Sequence, residues 1–383
     1  MTRGAAPRGL LDGEPIDRRR AIRVLSGALL ALGTPAALAA CGRTVPLFVD
    51  RVGYQLDASL GEGNAPLREL VPLLTARARA LGVDPVLNQV PPGRLAAMLR
   101  EQTALGNYSA QTNKRAPVNR LVVTSAVEPA TIEPIAAKAA ARGVKIVAFP
   151  RPLRHQSAAV VFDTASAAAT LAGDAAGWAH ERLDGQAPAM LVLPAEESAA
   201  ENALAAEAAA IEQTWRSTLA RAAPGLQLST YELSAGELGG ADSLAPIVRE
   251  QGIRVVLAWS DEVASGIARA LRERPPSGVD PRDLYVGALG APTIVSHATV
   301  DELDQDGPLR LVIAARLSEL AGALVELPHA LLHERTSAGV TLAQWRLTPR
   351  SSSLASYARD YAAHPSRATV NYEAVSLNPS AYH

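Results

Sequence analysis

The stretch "RLVVTSAVEPATIEPIAAKAAARGVKIVAF", residues 120–149, decides the fold. Its two ends, 120–125 and 143–149, are short apolar runs of the kind that forms strands buried on both faces of a parallel sheet. Between them, residues 129–142 follow the helical period, with proline near the start and Gly143 directly after the end. A strand, a helix and a second strand in this order predict one βαβ unit.

The same alternation runs through the chain from position 46 onward, and it predicts an α/β protein with doubly wound parallel sheets. Further strands are predicted at 189–193, 226–231, 254–259, 284–288 and 309–314, and helices at 199–222, 244–251, 262–272 and 317–333. Residues 107–118 form a polar insertion without a period, which predicts a surface loop. Residues 349–383 lose the rhythm, so this tail either wraps the surface or stays loose.

The N-terminal segment has the layout of an export signal. Four arginines between 18 and 23 precede an apolar run at 24–40, which is too short to span a bilayer. Small residues then lead to Cys41, the only cysteine. We therefore predict that residues 1–40 are a cleaved signal peptide. The Leu-Ala-Ala-Cys at 38–41 resembles the lipobox of bacterial lipoproteins, which implies that an acylated Cys41 anchors the mature chain to the membrane.

Alternatives remain for this segment. Cys41 would be an ordinary buried cysteine if the apolar run were an N-terminal helix of the folded domain. The arginine pair also resembles a twin-arginine export motif without the usual aromatic residue, so both the twin-arginine and the general export routes stay open.

Composition excludes several function classes. The net charge is −1 for 383 residues, and it moves to about −4 after removal of the leader. No block of Lys or Arg is present, which argues against a nucleic-acid partner. The remaining chain of about 340 residues exceeds what one core usually holds, so two lobes are expected. With Cys41 acylated, no thiol is left for a disulfide or a nucleophile.

No motif pairs a nucleophile with a base, so we expect neither an enzyme nor a cofactor. His329 and His333 lie four apart on a predicted helix, a spacing that suits one metal ion. The glutamate of a zinc-protease motif is missing between them, and we predict unlinked surface histidines and no metal site. The glutamates at 196, 197, 201 and 207 are interpreted as a solvated helix face.

Five segments together resemble the periplasmic sugar-binding proteins of the ribose-binding type, which are related to the ligand domains of the lactose-repressor family. They fall in that family's order and span most of residues 45–348. The segments are "LVVTSAVEPATIEPIAAKAAARGVKIVAFPR" (121–151), "AAVVFDTASAAATLAGDAAGWA" (158–179), "VVLAWSDEVASGIARAL" (255–271), "YVGALGAPTIV" (285–295) and "LVIAARLSELAGALVELPHALL" (311–332).

The resemblance implies two doubly wound lobes joined by three crossover strands, with the ligand in the cleft between them. Lobe one is predicted at 45–163 plus 317–337, lobe two at 164–316 plus 339–348, and a C-terminal extension at 349–383. The physics of open α/β sheets supports this location, because loops and helix N-termini converge at the carboxyl ends of the strands. Closure on the ligand would be a hinge motion at the crossovers.

The resemblance also implies ligand contacts at the strand ends. Arg151 stands where the family has an Asp-Arg pair that grips ligand oxygens, although Pro150 replaces the acid. Ser260 takes the place of a ligand-binding asparagine, and Asp261 is predicted to cap the following helix. Trp259 either stacks on a sugar face or belongs to the core.

Two departures from the family pattern change the expected ligand chemistry. Leu289 replaces an aspartate and Arg316 replaces a glutamine, so the balance moves toward a ligand with an anionic or carbonyl group, or toward no sugar at all. Arg316 alternatively forms a salt bridge between the lobes. Residues 50–55 are predicted as the loop after the first strand, with Tyr54 and Asp50 facing the cleft.

These observations predict a non-enzymatic, lipid-anchored substrate-binding protein. It would be exported, held by Cys41 at the outer face of the cell membrane or in the periplasm, and most simply monomeric. It would pass a small polar ligand, such as a sugar, sugar acid or polyol, to the permease of an ABC importer. The alternatives are a sensor that presents ligand to a membrane receptor, and a degenerate binding protein with a structural role.

Overall fold

A computed structural model describes residues 50–57, 66–90, 92–109, 114–117, 119–126, 129–195, 202–233, 243–290, 295–335 and 339–362. The predicted signal peptide, Cys41 and the tail from 363 to 383 lie outside these residues. Within the described ranges, none of the helices combines the length and the apolar composition that crossing a membrane requires.

The first half of the chain alternates strands and helices as the pattern predicted. Its strands are β1 (Asp50–Asp57), β2 (Val83–Val90), β3 (Leu105–Ser109), β4 (Lys114–Pro117), β5 (Leu121–Ser125), β6 (Lys145–Phe149) and β7 (Ala158–Phe162). Its helices are α1 (Pro66–Leu81), α2 (Leu95–Gln102) and α3 (Pro129–Ala141), with a short 3₁₀ turn at Pro92–Arg94.

The second half continues the alternation. Its helices are α4 (Thr164–Leu183), α5 (Asn202–Ala222), α6 (Leu244–Glu250), α7 (Asp261–Glu273), α8 (His297–Asp304), α9 (Leu317–Leu332) and α10 (Ser352–Ala362). Its strands are β8 (Gln186–Pro194), β9 (Gly225–Leu233), β10 (Val255–Ala258), β11 (Tyr285–Leu289), β12 (Leu309–Ala314), β13 (Val340–Leu342) and β14 (Trp345–Leu347), and a 3₁₀ turn lies at Pro281–Asp283.

The strands form two six-stranded sheets, which confirms the predicted two-lobe α/β fold. The sheet of lobe one has the order β13-β7-β6-β5-β1-β2, and that of lobe two has the order β14-β12-β11-β10-β8-β9. Every pairing within these two sheets is parallel except β14 against β12. Parallel strands need helical crossovers, which is why the apolar runs alternate with helices along the chain.

The unit quoted first is the centre of lobe one. Strand β5 is buried at all five positions and pairs in parallel with β6, with Leu121 opposite Lys145. Helix α3 packs its apolar side through Ile132 and Ile135. Gly143, two residues after the helix, adopts a φ of +76°, a conformation that costs glycine nothing. The predicted βαβ unit is confirmed.

The chain crosses between the lobes three times. The crossings follow β7, follow β12, and separate β13 from β14. Residues 340–342 pair with β7, so they belong to lobe one, and the prediction that placed 339–348 as a whole in lobe two was wrong there. The pattern of the sequence is too short in this region to show which sheet accepts each strand. Gln344 donates to the Asp163 carbonyl oxygen (3.1 Å), which ties the third crossing to the first.

Two segments without a helical or strand period nevertheless contain regular structure. Strands β3 and β4 pair antiparallel as a small hairpin, where a surface loop was predicted for 107–118. In the C-terminal extension, helix α10 packs against the body of the protein, and its Tyr357 is completely buried. The backbone N–H of Val295 donates to the Tyr357 hydroxyl (2.9 Å). The first part of the tail is therefore folded onto the protein.

Candidate ligand site between the lobes

The predicted site lies where strands of both lobes end. Strand β6 of lobe one ends at Phe149, so Arg151 follows at the carboxyl edge of that sheet. In lobe two, β10 ends at Ala258 directly before Trp259, and β11 ends at Leu289. Helix α5 begins after β8, and its N-terminal part therefore lies at the carboxyl edge of the second sheet.

Arg151 reaches across the gap between the lobes and forms an ion pair. Its guanidinium Nη2 donates to the Glu207 carboxylate Oε2, on helix α5 of lobe two. The other oxygen of that carboxylate, Oε1, accepts from the Thr164 hydroxyl (3.0 Å). The two charged side chains are 15% and 24% exposed, so the pair is largely shielded from water. This contact joins the predicted arginine of lobe one to a carboxylate of lobe two.

A small cavity lies beside this ion pair. The cavity has a volume of about 10 Å³, which is room for roughly one water molecule. It is lined by Phe162, Thr164, Glu207, Trp259, Leu289 and Gly290. Trp259 is half-buried and packs against the core of lobe two, and its stacking on a sugar face stays a prediction. The ion pair thus brings side chains of the two lobes into contact at this point.

A much larger groove, of about 880 Å³, lies elsewhere. Helices α1 and α9 and the start of β13 form its walls, and an ion pair between Arg77 and Glu326 stands in its lining. All of these elements belong to lobe one or its crossings, so this groove is not the interlobe cleft. Its size therefore does not identify the ligand site.

The serine and aspartate after Trp259 differ from their predicted roles. Helix α7 begins at Asp261, and the Ser260 hydroxyl accepts from the Glu262 N–H (3.3 Å), so Ser260 is the cap. Asp261 was predicted to cap the helix. It is buried instead, and its Oδ2 accepts from the Ser296 N–H (3.0 Å) and the Thr299 hydroxyl (2.9 Å). The Asp261 carboxylate thus fastens α7 to α8.

Arg316 packs against the C-terminal segment. It precedes α9 at the second crossing, and its guanidinium carbon lies 4.7 Å from the centroid of the Trp345 ring. Its Nη2 donates to the Ser356 hydroxyl (3.0 Å). Trp345 in turn donates through Nε1 to Glu319 (3.1 Å). Arg316, which we predicted as an added cation of the cleft, thus contacts the Trp345 ring and the Ser356 hydroxyl.

Tyr54 and Asp50 are not in a loop facing the cleft, because residues 50–57 form strand β1. Tyr54 is completely buried, and its hydroxyl donates to the Leu324 carbonyl oxygen of α9 (3.0 Å). Burial raises the pKa of the Tyr54 hydroxyl well above its usual range, so the group stays a neutral donor. Asp50 is the first residue of β1. It therefore lies at the edge of the sheet opposite the carboxyl ends of the strands, where the ligand site is predicted. The predicted loop was wrong because residues 50–57 are themselves a strand, not the loop that follows one.

Sequence reasoning missed Glu207. It was grouped with glutamates at 196, 197 and 201, which lie outside the described residues, as part of a solvated face. The side chain of Glu207 is instead three-quarters buried between the lobes. A signal was present, since Glu207 stands alone among alanines at 205–210, and small neighbours let another element approach a helix closely. The partner, Arg151, is 56 positions away and invisible to local patterns.

Comparison with known proteins bears on the fold. No protein-family model matches the chain, and no curated protein matches it either. Solved structures do. An ABC transporter solute-binding protein from Burkholderia graminis, in complex with D-arabinose, superposes with a TM-score of 0.60 at 14% identity, over 78% of this chain and 96% of that chain.

The chain has the two-lobe fold of periplasmic binding proteins of the ribose-binding type. A solute-binding protein from Mycobacterium smegmatis with bound glycerol gives a TM-score of 0.60 at 13% identity, covering 80% of this chain and 96% of that chain. One from Agrobacterium vitis with bound allitol gives 0.58 at 14%, covering 82% and 99%. The fold that the five sequence segments implied is confirmed.

Proposed function

We propose that this protein is an exported substrate-binding protein that captures a small, neutral, polyhydroxylated ligand between its lobes for an ABC importer. The observation that carries the proposal is the Arg151–Glu207 pair, which sets a hydrogen-bond donor of one lobe against an acceptor of the other. The solute-binding proteins that share the fold are described with D-arabinose, allitol and glycerol as ligands. These comparisons support the class of ligand.

The charge of the site favours a neutral ligand over an anion. The sequence alone suggested a cleft that had lost two acids and gained a cation. Glu207 supplies a carboxylate, and Arg316 is engaged by the C-terminal segment, so the charged side chains described at the site sum to zero. A carboxylate accepts from sugar hydroxyls, a guanidinium donates to their oxygens, and the Trp259 ring suits the C–H face of a sugar.

Ligand entry requires the lobes to open at the three crossings. In the closed form, Glu207 accepts the hydrogen bonds of both Arg151 and Thr164, which ligand hydroxyls would otherwise make. Opening breaks the ion pair, and closure over a ligand would replace it with contacts from each side chain to the ligand. In this proposal the pair joins the lobes, and its two side chains become ligand contacts.

The signal-peptide layout and the lipobox at 38–41 support export and a lipid anchor at Cys41. They also support a role at the outer face of the membrane, where we propose that the protein meets a permease as a monomer. No catalytic step is needed for this role, in keeping with the absence of any nucleophile motif from the sequence.

Calorimetry and thermal shifts with pentoses, hexoses, polyols and sugar acids test the proposal. We expect a neutral polyhydroxyl compound to bind and to raise the melting temperature by mass action. Arg151→Ala is expected to weaken binding tenfold or more, since truncating a buried charged contact typically costs about 2 kcal/mol or more. Glu207→Gln should weaken it in the same direction.

A matched control for Glu207→Gln is available on the same helix. Glu212 follows Glu207 on α5 and pairs with Arg216, one turn beyond it, at 2.8 Å. Glu212 does not line the cavity beside Glu207. Glu212→Gln should leave ligand affinity unchanged. Preferential binding of sugar acids, or wild-type affinity in both Arg151→Ala and Glu207→Gln, would contradict the assignment.

The small volume of the cavity beside Glu207 favours a second candidate, a former binding protein with a structural role. In that case the Arg151–Glu207 pair is a permanent interlobe bond. No compound of the panel would then raise the melting temperature, and X-ray scattering would show no opening of the lobes after Glu207→Gln. Opening of the variant, with ligand binding by the wild type, would exclude this candidate.

A further inference from the structure

A second cluster of functional side chains lies at the opposite edge of lobe one. Asp50 begins β1, and His329 and His333 occupy the last turn and the C-cap of α9. The potential ligand atoms of these three residues all lie within 4.8 Å of one another. The cluster is therefore separate from the ligand site, which is at the carboxyl ends of the strands.

The distances in this cluster resemble those of a coordination shell. Oδ2 of Asp50 is 3.3 Å from Nδ1 of His329 and 2.6 Å from Nε2 of His333. In a tetrahedral zinc site with bonds of 2.0–2.1 Å, neighbouring ligand atoms are about 3.3–3.4 Å apart. The first separation already agrees with this value. The second is a hydrogen bond that needs to lengthen by under about 1 Å.

One nitrogen of the cluster lacks a hydrogen bond. Nδ1 of His329 is buried, and no hydrogen-bond partner for it is found within the described part of the chain. A buried polar atom without a partner is costly and asks for an explanation. The two imidazole rings stand with centroids 4.5 Å apart at 65°, so both can address a point beside Asp50. A bound cation between the three groups would satisfy the orphan nitrogen.

The electrostatic setting also suits a cation. The negative end of the α9 dipole lies at this turn, and Asp50 adds a full negative charge. Lys145, at the start of β6, is the nearby opposing charge, but its ammonium is engaged with the Leu331 carbonyl oxygen at 2.5 Å. Two neutral imidazoles and one carboxylate form a ligand set that favours borderline transition metals over Mg²⁺ or Ca²⁺, which prefer oxygen.

We propose that Asp50, His329 and His333 bind one divalent transition-metal ion of the zinc type, with water in the fourth position. The ion would join the first strand of the folded domain to the last helix of lobe one. Because Asp50 follows Cys41 by nine positions, such a clip fixes the point at which the proposed anchored segment enters the domain. Ligand capture between the lobes does not depend on it.

Zinc titration of the whole chain tests the proposal. Every sample carries Cys41→Ser and a purification tag without histidine, so that neither supplies an extra ligand. We expect one equivalent of Zn²⁺ to bind and to raise the melting temperature, while Mg²⁺ does neither. Asp50→Asn and His333→Ala should each weaken Zn²⁺ binding more than tenfold without changing ligand affinity. Since both side chains are partly exposed, both variants are expected to fold.

His155 offers a matched control, because it pairs with Glu133 in the same lobe but has no second histidine beside it. His155→Ala should bind Zn²⁺ as the unaltered protein does. Equal Zn²⁺ affinity in Asp50→Asn, His333→Ala and His155→Ala would overturn the proposal. The proposal would also be overturned if the protein that keeps Asp50, His329 and His333 did not bind one equivalent of Zn²⁺.

Discussion

The hydrogen bond from Tyr54 to Leu324 yields a sharp prediction, because it repairs a defect in helix α9. In an α-helix, the carbonyl of residue 324 accepts from the N–H of residue 328. Position 328 is a proline inside α9, which has no N–H to give. The Tyr54 hydroxyl donates to this carbonyl at 3.0 Å from strand β1, 270 positions away. Tyr54→Phe leaves that acceptor without its partner.

The expected cost follows from burial. Tyr54 is 0% exposed, so water does not replace the lost donor. A buried polar group left without a partner costs about 1–3 kcal/mol, whereas an average exchangeable hydrogen bond contributes about 0.5–1.5 kcal/mol. Phenylalanine keeps the ring and its packing. We therefore expect the free energy of unfolding to fall by about 1–3 kcal/mol.

The assay is equilibrium denaturation followed by circular dichroism and by fluorescence, with a second substitution that separates the causes. Pro328→Ala restores an N–H at position 328. In that background, Tyr54→Phe should cost at least about 1 kcal/mol less than in the wild type, because the helix then satisfies its own carbonyl. Ligand affinity should be unchanged in Tyr54→Phe, since the hydroxyl faces the core.

Equal costs of Tyr54→Phe in the two backgrounds would refute this reasoning. The hydroxyl would then contribute something other than the missing helix bond. A loss of ligand affinity without a loss of stability would return Tyr54 to the ligand site that the sequence first suggested.

Two further predictions concern lobe two. Asp261→Ala removes the acceptor of the Ser296 N–H and of the Thr299 hydroxyl. Its free energy of unfolding, measured by equilibrium denaturation, should fall by about 2–4 kcal/mol, and that of Asp261→Asn by a smaller amount. The Glu212 pKa is lowered, first by the hydrogen bond from Thr230. Its stabilisation is therefore present above the ordinary glutamate pKa of about 4.3 and lost as pH falls through the lowered value. Glu212→Gln should make stability less dependent on pH in that window, and a wild-type acid profile would contradict this.

Much of the second half of the chain was predictable from the sequence. The apolar run at 309–314 is strand β12 with the same bounds, and the period at 317–333 is helix α9 to within one residue. These elements are determined by local patterns, since a buried strand or helix face has to be apolar at a fixed period. The hairpin at 105–117 and helix α10 were missed because polar sequences with an amphipathic or paired role carry little of that signal.

The candidate site was predictable only in part. Arg151 follows a strand end, and parallel sheets gather such positions at one edge, so its placement between the lobes follows from its position in the chain. Ser260 and Asp261 were both expected near the same edge, but which of them caps α7 depends on where the helix begins. The helix begins one residue earlier than predicted, at Asp261, so Ser260 is the cap.

The sequence by itself determined most of the strands and helices, because these depend on periods within a few residues. Its resemblance to the ribose-type proteins implied the two doubly wound lobes, and the carboxyl ends of the strands stay the proposed place of ligand binding. Only the tertiary structure decided the partners: Glu207 for Arg151, Leu324 for Tyr54, and Asp50 for the two histidines of α9. Those pairs join residues 56 to 283 positions apart. Their meeting depends on how sheets and helices pack, and no local pattern carries that information.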